Sequence, residues 1–248
     1  MIIYKTDDEI RAMRRSNRIV ARILSELVPL VKPGVTTKDL DDFAEKRTRE
    51  MGAAPAFKGY RGYPASLCTS VNEEIVHGIP SSRKLKEGDI LSLDYGVIFE
   101  GYFGDSAVTV PVGDISPEAA RLIATARESF EAGIARMTEG NRVSDISAAV
   151  QECVEADGFS VIRSFVGHGI GRSLHEDPQI PNFGPPGRGP TLRVGMTFAI
   201  EPMTSMGAWQ VRILQDGWTA VTQDGSCAAH FEHSVALMED GVLILSRL

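Results

Sequence analysis

The feature that most constrains the fold is a pattern of two helices followed by strands that occurs twice along the chain. Residues 85–94 (LKEGDILSLD) align without a gap on residues 192–201 (LRVGMTFAIE), so that leucine, glycine, an aliphatic residue and an acid fall at the same offsets. Turn-then-strand units also resemble one another without common origin. Read as a duplication, the pattern predicts a single α/β domain over 1–248 with halves at about 1–112 and 113–248. Asp94 and Glu201 would then occupy equivalent points and face one centre.

Capping signals mark the helices of the first half. Thr6 and Glu9 have the spacing of a capping box, and apolar residues at helical intervals follow until Pro29. A second helix is predicted after Thr36 and ends near Gly52. Residues 65–112 are rich in β-branched residues and turns, which predicts strands.

The second half begins in the same way. Ser116 before Pro117 is an N-cap with proline at the first helical position. The apolar face of this third helix extends to Met137, and we expect it to end at Gly140. A fourth helix closes at Gly158, and strand-like sequence fills the remainder.

Strand and turn segments also contain an oxygen-rich set of metal-binding side chains. Four carboxylates and one imidazole exceed what one divalent ion requires, and they are typical of two ions that share carboxylates. Hydrolysis by a metal-held water is therefore the leading chemistry. The candidate ligands are Asp94, Asp105, His168, Glu201 and Glu232.

The two aspartates are expected to lie on one face of a β-hairpin. A two-residue turn at Phe99-Glu100 or at Glu100-Gly101 would place them directly opposite or one diagonal step apart, with Cβ atoms roughly 4.5–8 Å apart. A three-residue loop without a bulge would place them on opposite faces. Two carboxylates this close in a partly buried site favour a bound cation, whereas an exposed pair would only be solvated.

His168 lies in the glycine-rich stretch Gly167-His168-Gly169-Ile170-Gly171. We expect the flanking glycines to let the backbone approach an ion and aim the imidazole. The stretch does not have the lysine and serine or threonine of a P-loop, and His175 follows seven residues later, which is not the i, i+4 spacing of a helical zinc site. A structural role is the usual one for a lone histidine, but two histidines beside a glycine loop favour function.

Composition excludes several classes. A net charge of −7 argues against a general nucleic-acid surface, and three cysteines are too few for a disulfide framework. The first residues contain no apolar run typical of a signal peptide, and no stretch has the length of a membrane span. A soluble, cytoplasmic protein is expected.

Four motifs give the chain a close resemblance to the type I methionine aminopeptidases. They are residues 68–73 (CTSVNE), 76–80 (VHGIP), 167–171 (GHGIG) and 231–233 (FEH). The resemblance covers essentially the whole chain. It implies the pita-bread α/β fold, with two related halves around a curved antiparallel sheet. It also implies removal of an N-terminal methionine when the next residue is small, with two divalent ions as cofactors.

The resemblance also implies how the ligands are divided between the two ions. Asp94 would chelate one ion, His168 and Glu201 would hold the other, and Asp105 and Glu232 would bridge them. Glu201 is in addition the implied proton acceptor from the attacking water. Cobalt, manganese, iron and zinc all suit this set, so the metal stays open.

Further residues are implied to contact the substrate. His77 and His175 match the histidines that bond the scissile amide, although His77 on its own has a structural interpretation of equal weight. Leu174 stands where the family commonly has phenylalanine, and His230 stands where many members have glutamine. The methionine pocket is expected to include Tyr60, Tyr63, Cys68, Leu174 and Trp218.

Two rival interpretations come from the same fold. A proline-specific aminopeptidase or prolidase would usually carry an additional N-terminal domain, for which the first helix leaves no room. A metal-free binding module would be expected to have lost ligands, and all five are present. The expected substrate is therefore the N-terminal methionine of nascent polypeptides near the ribosome. We also expect a monomer that binds neither nucleic acid nor a membrane.

Overall fold

Four α-helices and fifteen β-strands form the protein in the computed structural model, which describes residues 1–248. The helices are α1 (Asp7–Leu27), α2 (Thr37–Glu50), α3 (Pro117–Ile134) and α4 (Val143–Ala156), and two short 3-10 helices span Val28–Leu30 and Tyr60–Gly62. The first strands are β1 (Ala54–Pro55), β2 (Leu67–Val71), β3 (Glu74–Val76), β4 (Ile90–Phe99) and β5 (Tyr102–Pro111). After α4 come β6 (Ser160–Val161), β7 (Gly167–Gly169), β8 (Glu176–Ile180), β9 (Thr197–Ile200) and β10 (Met203–Ser205). The last five are β11 (Val211–Ile213), β12 (Ala220–Thr222), β13 (Ala228–His230), β14 (Glu232–Met238) and β15 (Gly241–Ile244).

The predicted helix starts are confirmed. Thr6 caps α1 in a reciprocal box with Glu9, and Ser116 caps α3 with Pro117 at its first position. One boundary prediction was wrong, because α3 ends at Ile134 and not near Gly140. Its last turn tightens into i→i−3 bonds, in which Met137 N–H donates to Ile134 O, and the chain leaves the helix axis there.

A nine-stranded antiparallel sheet forms the centre of the fold. Its order is β1-β4-β5-β14-β9-β7-β8, with β15 paired to β14 and β2 paired to β4. Two three-stranded sheets, β13-β10-β6 and β11-β12-β3, complete the strands. The order helix, helix, strands occurs before and after residue 112, and Gly88 and Gly195 both have a φ of 88°. The placing of the halves at 1–112 and 113–248 stays a prediction.

Strand alternation separates the core from the site. On β4, Leu91, Leu93 and Val97 pack with α1 and α2, so Asp94 lies on the opposite face. On β14, Val235 packs with the third and fourth helices. Glu232 is three residues away, so its side chain lies on the opposite face of the sheet. The helices thus cover one face of the sheet, and the acidic residues project from the other.

Close approach of α1 to β5 fixes the strand that carries Asp105. A Cβ at Gly104 would lie 2.8 Å from the backbone nitrogen of Asn17 and 2.9 Å from its Cα. Real Cβ contacts are longer, so only glycine fits between the helix and the strand. The neighbouring aspartate is therefore held on a strand with little freedom to shift.

Candidate metal centre

The β4–β5 hairpin places the two aspartates as one of the predicted registers requires. Glu100 and Gly101 form a two-residue turn with φ of 50° and 79°, the two positive values of a type I′ turn. Asp94 pairs with Ala107, and Asp105 pairs with Gly96. The carboxylates are therefore one diagonal step apart on the same face, as expected.

His168 reaches the centre from β7, which lies beyond β9 in the strand order and away from β4 and β5. It pairs with Ala199 on β9, and its Nε2 lies 3.5 Å from Oε1 of Glu201, which follows that strand. Its Nδ1 lies 2.9 Å from the carbonyl oxygen of Gly169. A carbonyl only accepts, so the proton is on Nδ1 and the Nε2 lone pair is free to bind a metal. Burial lowers the pKa of His168 to about 3, which keeps the ring neutral at pH 7.

Neighbouring backbone gives a further reason for the glycines around His168. A Cβ at Gly167 would lie 2.5 Å from the carbonyl oxygen of Ala199, and one at Gly169 would lie 2.2 Å from that of Asp177. Glycine is therefore needed on both sides of His168 because neighbouring backbone crowds β7, and the expected approach of the chain to an ion stays a prediction.

Glu232 joins the two groups of ligands. It pairs with Ala107 on β5, and its neighbour His233 pairs with Ile200 on β9. The potential ligand atoms of Asp105, His168 and Glu232 all lie within 4.8 Å of one another, and all three residues are buried. Residues far apart in sequence therefore meet at one point.

The charges at this point require compensation. Burial and the neighbouring carboxylates raise the pKa of Asp105 and of Glu232 well above the ordinary range, and burial, followed by Asp94, does the same for Glu201. Burial raises the pKa of Asp94 to about 7. Asp94 Oδ1, Asp105 Oδ1 and Glu232 Oε1 are buried without a hydrogen-bond partner. Orphaned oxygens of this kind, beside one neutral imidazole nitrogen, fit hard divalent cations.

A cavity of about 150 Å³ opens over the centre, and all the residues predicted for the site line it. They are Tyr60, Tyr63, Cys68, His77, Asp94, Asp105, His168, Leu174, His175, Glu201, Trp218 and Glu232. Phe57 and Arg61 also line the cavity and were missed from the sequence. Neither lies in a recognisable motif, and Arg61 is an exposed residue of the 3-10 turn at residues 60–62, with a φ of 50°.

Aromatic and sulfur groups form one wall of the cavity. The rings of Tyr63 and Trp218 meet edge to face at 5.1 Å, and Trp218 also contacts the ring of His77 at 6.1 Å. Cys68 stands directly opposite Asp94 in the β2–β4 ladder, which brings its thiol next to the carboxylate. The wall suits a flexible, polarisable side chain.

The two further histidines lie at the cavity in different ways. His77 has a φ of 62°, a left-handed conformation that is unusual for a residue other than glycine and is frequent at functional sites. Burial lowers its pKa to about 4. His175 stacks on Tyr60 with ring centroids 5.4 Å apart, and the Tyr60 hydroxyl lies 2.8 Å from its Nδ1. Burial, with help from Arg61, lowers its pKa as well. Both rings are therefore neutral hydrogen-bonding groups at pH 7.

Comparison with known proteins places this geometry in a family. The sequence profile of Metallopeptidase family M24 matches residues 11–239. Methionine aminopeptidase of Clostridium acetobutylicum is 53% identical over 247 residues, which cover 99% of each chain. Methionine aminopeptidase 1 of Bacillus subtilis is 52% identical over the full length of both.

Solved structures of similar proteins agree with these sequence matches. The crystal structure of methionine aminopeptidase from Thermotoga maritima superposes with a TM-score of 0.97 at 48% identity and full coverage of both chains. Prolidase from Pyrococcus furiosus has a TM-score of 0.80 at 19% identity, which shows the fold alone, and this chain covers 66% of it. None of the helices combines the length and apolar character needed to cross a membrane. The chain therefore belongs to metallopeptidase family M24 and, within it, to the type I methionine aminopeptidases with their pita-bread fold.

Proposed function

We propose that this protein removes the N-terminal methionine from peptides and nascent polypeptides whose second residue is small, with a pair of divalent cations as cofactor. One observation supports the proposal more strongly than the others. Two buried and two half-buried carboxylates and a neutral histidine meet at a cavity walled by aromatic and sulfur groups. Such a cavity can bind a methionine side chain beside a hydrolytic centre.

The five ligand-type residues divide into terminal and bridging groups in this proposal. Asp94 would hold one cation, His168 and Glu201 would hold the other, and Asp105 and Glu232 would be shared between them. The three orphaned carboxylate oxygens and the free Nε2 of His168 support this division. Cations bound there would supply Lewis-acid polarisation and lower the pKa of a water towards about 7.

Residues of the chain then move protons and orient the peptide. Glu201 lies beside His168 and accepts the proton of the attacking water. We assign the Tyr60 hydroxyl as the donor to Nδ1 of His175, which leaves the proton of this ring on Nε2. His175 Nε2 and the neutral ring of His77 then donate to the scissile carbonyl oxygen and the next peptide unit as negative charge develops.

Specificity arises from the shape of the cavity. Tyr63, Cys68 and Trp218 contact the methionine side chain, and Leu174, which is 3% exposed, contributes apolar wall. His77 and the loop around His168 close on the position of the second residue, so a large side chain there is excluded. A carboxylate centre also attracts the free α-amine, which limits action to chain ends.

The proposal extends to the cellular location and the oligomeric state of the protein. We propose action in the cytoplasm on chains close to the ribosome, because the substrate is a newly made N-terminus. We also propose a monomeric enzyme, in which one chain supplies all five ligand-type residues. A net charge of −7 argues against direct binding of nucleic acid.

Metal analysis together with peptide turnover tests the proposal. The purified enzyme should contain two ions per chain and cleave Met-Ala-Ser much faster than Met-Lys-Ser, and chelation should abolish both metal and turnover. Equal rates on these two peptides would contradict the proposed specificity. Faster release of alanine from Ala-Pro-Ser would favour a proline-specific aminopeptidase instead.

A further inference from the structure

His230, the last residue of β13, is a buried imidazole without a hydrogen bond at either ring nitrogen. The residue is 1% exposed, and both Nδ1 and Nε2 are buried and unpartnered. Its backbone is fully used, because its N–H donates to Thr109 Oγ1 and its carbonyl accepts from the same hydroxyl, each at 2.8 Å. A buried polar group left unpaired costs about 1–3 kcal/mol. The side chain therefore destabilises the protein unless something else uses it.

The ring lies between two of the carboxylates of the centre. Its Nε2 is 4.0 Å from Oε2 of Glu201 and 4.0 Å from Oε2 of Glu232. The other oxygens of these residues have different surroundings. Oε1 of Glu201 faces His168 at 3.5 Å, and Oε1 of Glu232 is one of the orphaned buried atoms. Each carboxylate thus has one oxygen towards His230 and one that is free for a cation.

We propose that His230 is a positioning residue of the metal centre. Its Nε2–H would donate to the Oε2 atoms of Glu201 and Glu232. The Oε1 atoms of both residues would then keep the orientation that the cations need. The distance of 4.0 Å is about 1 Å longer than an N–H···O bond. Ionised carboxylates gathered around cations can close this gap, since they are then purely acceptors. The inference rests on the proposed dinuclear function and goes beyond its ligand set.

A purely structural role makes the opposite prediction for an apolar replacement. Leucine would fill a similar volume and remove two unpaired nitrogens, so His230→Leu should leave the metal-free protein as stable as the wild type or more stable. A positioning role predicts that the same variant binds metal more weakly. Groups that orient metal ligands typically contribute about 10–100-fold to metal affinity.

The test compares His230→Leu and His230→Gln with the wild type. Affinity for Co²⁺ and Mn²⁺ would be measured by isothermal titration calorimetry on proteins from which a chelator has removed the metal. Elemental analysis would give the stoichiometry, and thermal melting without metal would give the stability. We expect His230→Leu to lose about 10–100-fold in affinity with an unchanged or higher metal-free Tm. His230→Gln should stay within about threefold of the wild type, because its amide N–H can still donate.

Val150→Ala serves as a control for general destabilisation, since Val150 is fully buried on α4 and packs against Gly133 of α3. It should lower the metal-free Tm and leave metal affinity unchanged. Wild-type affinity in His230→Leu would overturn the inference, and so would an equal loss in His230→Gln. Loss of a nitrogen ligand from the absorption spectrum of the Co²⁺-loaded His230→Leu protein would also overturn it, because His230 would then be a ligand. If the wild type itself binds fewer than two ions, the proposed function fails, whatever the variants do.

Discussion

A buried ion pair between the N-terminal segment and the loop that carries His175 makes a quantitative prediction. Lys5 Nζ donates to Oε2 of Glu176, and the two side chains are only 3% and 7% exposed. Oε1 of Glu176 accepts from the backbone N–H groups of Arg172 at 2.9 Å and Ser173 at 3.2 Å. The pair therefore ties the residue next to His175 to the start of the chain.

Removal of one partner should be costly. Lys5→Met leaves the carboxylate of Glu176 buried without its cation, and breaking such a pair typically costs about 3–5 kcal/mol. The two remaining N–H donors keep part of the stabilisation, so we expect about 3 kcal/mol. For a chain of 248 residues this corresponds to a decrease in Tm of roughly 6–12 °C. Glu176→Gln removes the negative charge and leaves the buried ammonium group with neutral acceptors only, among them the Ile3 carbonyl oxygen at 3.3 Å, so a similar loss is expected.

The assay is a double-mutant cycle by chemical and thermal denaturation of the metal-loaded protein. Lys5→Met/Glu176→Gln should be less destabilised than the sum of the single variants by about 2 kcal/mol or more, because no isolated charge stays buried. kcat/KM on Met-Ala-Ser should fall in both single variants and recover partly in the double variant. Additive losses, or a cost below about 1 kcal/mol for each single variant, would refute this reasoning.

Four further predictions address the site and its surroundings. Asp105→Ala should lose metal and activity together while the fold persists, and near-wild-type turnover after dialysis would disprove the bridging role. His175→Ala should lower kcat/KM by about 10²–10³-fold with metal content intact, and a parallel loss of metal would make His175 a ligand. Leu174→Phe should raise the preference for methionine over leucine and norleucine by up to about tenfold, and an unchanged Met/Leu ratio would contradict this. Hydrogen bonds from Lys58 and Arg49 lower the pKa of Glu45 to about 2, so its stabilisation is complete above pH 4.5 and is lost as the pH falls towards 2. The stability difference between wild type and Glu45→Gln, roughly 1 kcal/mol at pH 7, should therefore vanish in that acid range.

Local features of the site were predictable because they depend on short-range rules. The period of two along a strand and a two-residue turn are sufficient to bring Asp94 and Asp105 to one face. The capping box at Thr6 and the N-cap at Ser116 likewise located the starts of the first and third helices. The end of α3 was placed too late because tightening of a last turn leaves no mark in the hydrophobic pattern.

Long-range features were predictable only through the resemblance. Glu232 reaches the aspartates because β14 lies between β5 and β9, and no periodicity in the sequence encodes that order. The thiol of Cys68 meets Asp94 through a strand register that spans 26 residues of chain. Arg61 and the orientation of His230 depend on turns and packing, so sequence patterns could not reveal them.

The scattered origin of the metal-binding side chains has a consequence for the life of the protein in the cell. They extend from Asp94 to Glu232, and the strands that carry them meet only in the completed nine-stranded sheet. Under the proposed function, cations would therefore bind the folded chain and not its incomplete forms, and each would stabilise it by about 2.7 kcal/mol at a hundredfold excess over Kd. A chain made under metal starvation keeps four crowded carboxylates without counterions. Scarcity of metal should thus shorten the lifetime of this enzyme as well as slow its turnover, so that its abundance follows the metal supply.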